Sequence, residues 1–317
     1  MQRYLLRRFA FAILTLVAST ALVFSLTRAA GDPVLMYATP GYGRTPEQID
    51  AIKKWLGLDK PLVVQYFIWL GNTIKGDLGN QIVTRQPVVS VIRTRIFWTM
   101  QLGLAAWIWA VAVGIPLGIL SAVKRGTVFD YIGRSFALLG QALPSFWVGM
   151  MAILMFAVIL GWLPVSTAGP TNVHPLSWAH IKFFIMPALT LGWFVAASLL
   201  RLTRSAMLEI LDSEYVKFAR AKGVSEWKVI WKHAFRNAVL QPLTLAATTL
   251  AGFIGGAVVI ERVFAWPGVG RLALEAVWNT DYPTLTAVVL LWTLGFVVMN
   301  FIADLMYAYL DPRVRYG

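Results

Sequence analysis

The sequence predicts an all-α integral membrane protein of six transmembrane helices, with a polar external subdomain between the first and the second. Three observations predict it. Hydrophobic residues make up 58% of the 317-residue chain, charged residues only 14%, and mean hydropathy is +0.66, far from the soluble average. Uncharged apolar runs long enough to cross a bilayer recur six times. Fourteen Trp and ten Tyr suit a chain with many headgroup-level interfaces. The absence of Cys excludes disulfides and thiolate metal sites. A net charge of +13 would suggest nucleic acid, but no nucleic-acid motif accompanies it, and the basic residues gather beside apolar runs.

The first run, Phe9 to Leu26, spans about 27 Å as a helix. Arg3, Arg7 and Arg8 precede it like the start of a signal peptide, but the run is long and no small-residue cleavage site follows, so residues 1–30 read as a retained helix. Residues 31–95 are too polar to span and read as an extracytoplasmic subdomain. Thr45-Pro46-Glu47-Gln48 opens one helix there and Gly57 stops it; a second begins near Pro61, with Leu62, Tyr66, Trp69 and Leu70 on its apolar side, and ends at Gly76 to Gly79. Val88, Val91, Ile92 and Ile96 predict an amphipathic elbow along the outer interface. The remaining runs are Phe97 to Val123, Ser135 to Leu163, Phe183 to Leu200, Asn237 to Ile260 and Tyr282 to Ala303, a core over 96–310 followed by a tail at 311–317. Pro116, Pro144, Pro187 and Pro242 interrupt them, and Gly252, Gly255 and Gly256 predict close helix packing in the fifth.

Orientation follows from the short loops. Arg3, Arg7 and Arg8, Lys124, Arg125 and Arg134, a third block from Arg201 to Arg236, and Arg313 and Arg315 share one side, against Lys182, Arg262 and Arg271 opposite. The richer side is the cytoplasm, so both termini and the interval Ser213 to Leu240 face it. Arg93 and Arg95 disagree, abutting the second span outside.

That cytoplasmic interval carries the most information. Ser213 is an N-cap residue type, Glu214 suits a helix N-terminus, and Gly223 ends a helix in a left-handed turn; Ser225 then opens a second helix with Trp227, Ile230, Trp231, Ala234 and Phe235 at helical spacing. Tyr215, Phe218 and Ala219 form an apolar ridge, and Ala219, Ala221 and Gly223 are small enough for another surface to approach the backbone. Two readings stand: a basic helix on anionic headgroups, or a docking surface. Replacing Gly223 by Val is expected to matter more than the same change at Gly126.

Several chemistries are missing. There is no H-E-x-x-H, the three His are scattered, no G-x-S-x-G is found, and no Gly-Lys dipeptide exists to build a phosphate-binding loop. Asp304, near the inner end of the last run, is a candidate gating or proton-relay group. Six uncharged spans alone also suit a stand-alone secondary transporter or channel.

A more specific reading comes from motifs in order: YLLRR at Tyr4, GDPV at Gly31, GLDKPLVVQY at Gly57, GDLG at Gly76, LPSFW at Leu143, RLTRSAMLE at Arg201, YVKFARAKG at Tyr215, HAFRNA at His233, GGAVVIERVFAWPGVG at Gly255, DYP at Asp281 and DPR at Asp311. The chain resembles the first of the two permease subunits of dipeptide and oligopeptide ATP-binding-cassette importers, a family with nickel and glutathione relatives. The resemblance implies a type I importer permease fold in a bacterial or archaeal cytoplasmic membrane and a non-catalytic subunit without cofactors of its own. It implies partners as well: a second permease, two ATPases that bind ATP and Mg, and an extracytoplasmic solute-binding protein that delivers peptides. The family's cytoplasmic E-A-A-x-x-x-G motif falls on Lys217-Phe218-Ala219 and Gly223, so its Glu and first Ala are replaced. By resemblance, residues 205–236 form a coupling segment in which Tyr215, Phe218, Ala219, Arg220, Ala221, Lys222 and Gly223 dock an ATPase.

Overall fold

A computed structural model describes residues 2–29, 47, 50, 53–54, 57–165, 167–170, 177–254 and 258–310, with the side chains of 2–9, 12, 251, 254, 300 and 302–310 left out. In chain order the helices are α1 (Gln2–Ala29), α2 (Leu62–Ile74), α3 (Val88–Val123), α4 (Val128–Ala142), α5 (Ser145–Ala152), α6 (Trp178–Leu211), α7 (Glu214–Ala221), α8 (Glu226–Lys228), α9 (Arg236–Ala238), α10 (Leu240–Ile254), α11 (Val258–Val263), α12 (Val269–Trp278) and α13 (Tyr282–Leu310). Two π-helical turns intervene, Ile153–Ile159 after α5 and Val229–Phe235 between α8 and α9. Among the described residues the extended pairing is a lone bridge between Asn80 and Pro87.

Among the described residues three helices are long and apolar enough to cross a membrane: α3, α6 and the Tyr282–Met299 part of α13. The bent pair of α4 with α5 and its π turn makes a fourth if it counts as one span. The fifth of the six expected runs falls partly on residues outside the description, and the first, which is helical throughout, lacks only the side chains of Phe9 and Ala12. Thr45, Pro46 and Gln48 lie outside it too, but Gly57 does stop its helix, at φ +65° with its N–H on the Lys54 carbonyl.

The chain divides into two compact units, residues 1–99 with 267–317, and residues 100–266. In the first, α1 runs along α13 and α12 packs on α13. Val88 and Ile92 are buried against Val269, Leu272, Ala273, Ala287 and Val288. This corrects the expected elbow: Val88 to Ile96 are the unbroken start of α3, because their apolar side has a core to enter. Tyr66 joins α2 to α1 through Thr20 Oγ1, 3.0 Å away, and stacks edge-on with Phe24. Gly76 and Gly79 both take positive φ, making the expected turn. Arg95, the cation that disagreed with the orientation rule, lies 3.8 Å from Glu275, which also accepts a hydrogen bond from Arg271 Nε at 2.7 Å.

In the second unit, close helix contacts run through glycine notches. A methyl group at Gly192 of α6 would stand 2.5 Å from the Ala106 carbonyl oxygen of α3. One at Gly118 of α3 would stand 2.6 Å from Thr203 Cβ of α6, and one at Gly140 of α4 would stand 2.7 Å from Ala197 Cβ. Backbones this close gain dispersion contacts that a larger side chain would forbid. Of the glycines expected from sequence to pack closely, a Cβ at Gly252 would meet open space, and Gly255 and Gly256 lie outside the described residues. The expected third span also changes form. Pro144 cannot donate the next helical bond, so α4 ends, the path turns by 110°, and α5 begins anew.

Candidate functional site: the helix pair about Gly223

Local chemistry builds the interval as two helices about a left-handed glycine. In α7 the apolar residues Val216 and Ala219 fall on one side, and both are buried with Val229 beneath Ile210 and Val224. The helix closes as Gly223 takes φ +77°, donating its N–H to Arg220 O at 2.9 Å while Val224 N–H reaches Ala219 O at 3.2 Å. That is the expected stop. Ser213 precedes α7 with extended geometry, but its hydroxyl turns back to the Ile210 carbonyl and does not cap the helix.

Side chains then fasten the two arms together. Arg220 grips Glu226 through two hydrogen bonds, of 2.9 and 3.3 Å, across the Gly223 turn. Tyr215 is held between the His233 carbonyl, to which it donates at 3.4 Å, and the Asn237 amide, which donates to it at 3.0 Å. Lys217 donates to Glu214 at 2.9 Å, and that hydrogen bond, with the charge behind it, raises the Lys217 ammonium above its ordinary value. Lys222 lies over the Phe218 ring, 4.4 Å from its centre.

What remains outside is aromatic and basic. Tyr215, Phe218, Trp227 and Trp231 are exposed, Phe218 by 60% and Trp227 by 70%, and Trp227, Trp231 and Phe235 stack in sequence at 5.3 Å spacings. Of the seven residues expected at a docking face, Tyr215, Phe218, Arg220, Ala221, Lys222 and Gly223 are at the surface; Ala219 points inward onto Val229. The ridge is thus made by rings, with Trp227 and Trp231 added from the second arm. Their helical spacing was legible, but not which side faced out.

The pair is mounted firmly. Ala234 and Ala238 of the second arm pack with Ile119 and Ala122 from the end of α3 and Ala206, Met207 and Leu211 from the end of α6. Beside this lies an ion pair that the sequence reading missed. Arg204 of α6 donates to both oxygens of Asp130 on α4, at 2.8 and 3.0 Å, while Ser121 Oγ of α3 donates to Oδ1 at 2.6 Å and Gly126 N–H to Oδ2 at 3.1 Å. Asp130 is buried, and Arg134 Nε stands 3.7 Å away. The available signal was a single acid in a loop otherwise marked by Lys124, Arg125 and Arg134. Gly126, at φ +76° with open space around it, shares the backbone state of Gly223 and carries a hydrogen bond to this acid, so the expectation that it tolerates Val better is withdrawn.

Residues 114–316 match the family described as the binding-protein-dependent transport system inner membrane component, and residues 1–103 match its N-terminal counterpart. The chain belongs to this family. The chain is 41% identical to a Brucella abortus peptide transport system permease protein, over 317 residues that cover all of both chains. It is 38% identical to the glutathione transport system permease protein GsiC of Escherichia coli O6:H1, again over all of both. Among solved structures, an inward-facing MetNI methionine ABC transporter matches 70% of this chain and 96% of its own, with TM-score 0.54 and 17% identity, a likeness of fold. The component is therefore a multi-pass membrane permease with an ABC importer fold. Asp304, whose side chain lies outside the description, gains no role from these matches.

Proposed function

We propose that the chain is the pore-forming permease subunit of an ATP-driven importer that moves small peptides inward across the bacterial cytoplasmic membrane, with both termini and the α7–α9 interval in the cytoplasm. The observation that carries this reading is the rigid, aromatic helix pair fixed to the ends of α3 and α6 in a member of a binding-protein-dependent transport family. A headgroup-lying helix needs one apolar face; this one buries its aliphatic face in the protein and leaves a compact ring cluster, the composition of a protein contact. The partners are two ATPases that bind ATP and Mg, a second permease of like fold, and an extracytoplasmic binding protein. This chain has no phosphate-binding loop and binds no cofactor itself. Its mechanical role is to pass ATPase closure, as a rigid-body shift of packed helices, to the spans that enter and leave the interval. Glutathione is the second substrate reading, favoured by the GsiC relatives. Proteoliposomes holding the full complex and its binding protein test both: ATP-dependent uptake of labelled dipeptides, absent without the ATPases, is expected. Uptake by this chain alone down an ion gradient would defeat the proposal, and uptake of glutathione in preference to dipeptides would select the second substrate.

A further inference from the structure

The 110° break between α4 and α5 leaves backbone groups free halfway along an apolar run. Pro144 occupies the N-cap position of α5 and supplies no side-chain hydrogen bond; the first helical bond runs from Val148 N–H to Pro144 O, so the amides of Ser145, Phe146 and Trp147 have no acceptor among the described residues. Three unpaired amides and the positive end of a helix dipole thus meet in one place. Ser145 lines a cavity of about 440 Å³ shared with α6 and α10, in the size range of small-molecule sites. Thr190 lines it too, only 6% exposed and with its hydroxyl in no hydrogen bond among the described residues. The indole N–H of Trp193, also on the wall, is buried without a partner among the described residues. Thr249 adds a third hydroxyl from α10, and Gly252 leaves space in front of it. Donors without acceptors are costly to leave unmet where water is excluded, and of the three α5 residues with free amides Ser145 is the one on the cavity wall.

We propose that this cavity is a weak carboxylate-binding station, in which the terminal carboxylate of a small peptide accepts from the α5 amides while its apolar side chain fills the space beside Trp193 and Phe253. The assignment rests on the importer reading. Among the described residues no Lys, Arg or His lines the cavity, so the anion is held by dipoles alone, which suits a path where a passenger must leave as readily as it enters.

The test uses the full complex in nanodiscs with two probes, N-acetyl-Ala-Phe and its C-terminal amide, read by saturation-transfer NMR. The acid is expected to bind about tenfold more tightly than the amide, the preference vanishing in Ser145→Asp, which places a carboxylate at the helix start, and persisting in Ser145→Asn. Thr190→Val should weaken the acid about threefold. Equal binding of acid and amide to the unaltered protein, or a preference that survives Ser145→Asp, overturns the station. Because binding is read without ATP, its failure leaves the importer reading intact. A complex that binds the acid but imports no peptide fails the importer reading alone.

Discussion

Arg204 of α6 and Asp130 of α4 face each other through two parallel hydrogen bonds, with Ser121 of α3 donating to the same carboxylate. Three helices therefore meet in one buried charged contact beside the mount of the helix pair about Gly223. Removing one partner leaves the other charge buried, a loss of about 3–5 kcal/mol, whereas replacing both by apolar residues of similar volume is close to neutral. Arg204→Met or Asp130→Asn is expected to lower the thermal midpoint of the detergent-purified chain by several degrees. The double change Arg204→Met with Asp130→Leu should recover most of it, as followed by tryptophan fluorescence.

The left-handed turn at Gly223 gives a second expectation. A β-branched residue at φ +77° strains the backbone by roughly 1–2 kcal/mol, although no atom lies within 4 Å of the added carbon. Gly223→Val should reduce ATPase co-purification and transport-linked hydrolysis, while Gly223→Asn, which tolerates that region, should retain both. Gly126→Val should also destabilise the chain, because the same strain there loosens the hydrogen bond to Asp130.

Packing notches and cavity glycines should separate cleanly. Gly192→Ala drives a methyl group into the Ala106 carbonyl and is expected to cost about 1–3 kcal/mol of stability. Gly252→Ala meets open space and should leave the thermal midpoint within a degree or so of the parent. Differential scanning fluorimetry on the two variants checks the contrast.

The rings of the helix pair should act on assembly more than on folding. Phe218→Ser with Trp227→Ser removes mostly exposed rings, at the loss of the Lys222 and Trp231 contacts, so the thermal midpoint should fall by a few degrees at most while pull-down of the ATPases falls at least about tenfold. Equal pull-down would move the contact elsewhere.

Asp281, in the turn before α13, is 4% exposed and accepts from the Thr284 hydroxyl at 2.8 Å. Burial pushes its carboxyl above the ordinary carboxylate value, against the opposing pull of the Thr284 bonds. The folded protein therefore holds this proton more tightly than the unfolded chain. Its stabilising contribution is complete below the ordinary carboxylate value and is lost as pH rises through the raised one. Thermal melts from about pH 4 to about pH 8 should show the parent losing ground to Asp281→Asn over that window, then running parallel.

Most of the helices could be read from apolar runs, because lipid permits few other backbone forms. Two outcomes needed coordinates. Val88 to Ile96 look amphipathic in isolation, and only the presence of α12 and α13 decides that they continue a long helix and do not lie flat. Likewise Pro144 marks an interruption, but a proline alone does not say whether a helix kinks slightly or turns back. At the candidate site, the glycine stop and the rings were legible from spacing. The inward turn of Ala219 and the Asp130 to Arg204 pair were not, because each depends on a neighbour far along the chain.

The π-helical turn Val229–Phe235 sits in the second arm of the helix pair, with only the short α9 between it and α10. Such a turn winds in more residues than an α-helix does, so it stores spare length. Tightening it to α geometry would feed one residue forward, about 1.5 Å of travel and about 100° of rotation for whatever follows. Thr249 and Gly252 ride on that helix. A small rewinding of this turn would thus behave like a screw thread, swinging a hydroxyl and a gap toward or away from the α5 amides without breaking a single packed notch between α3 and α6.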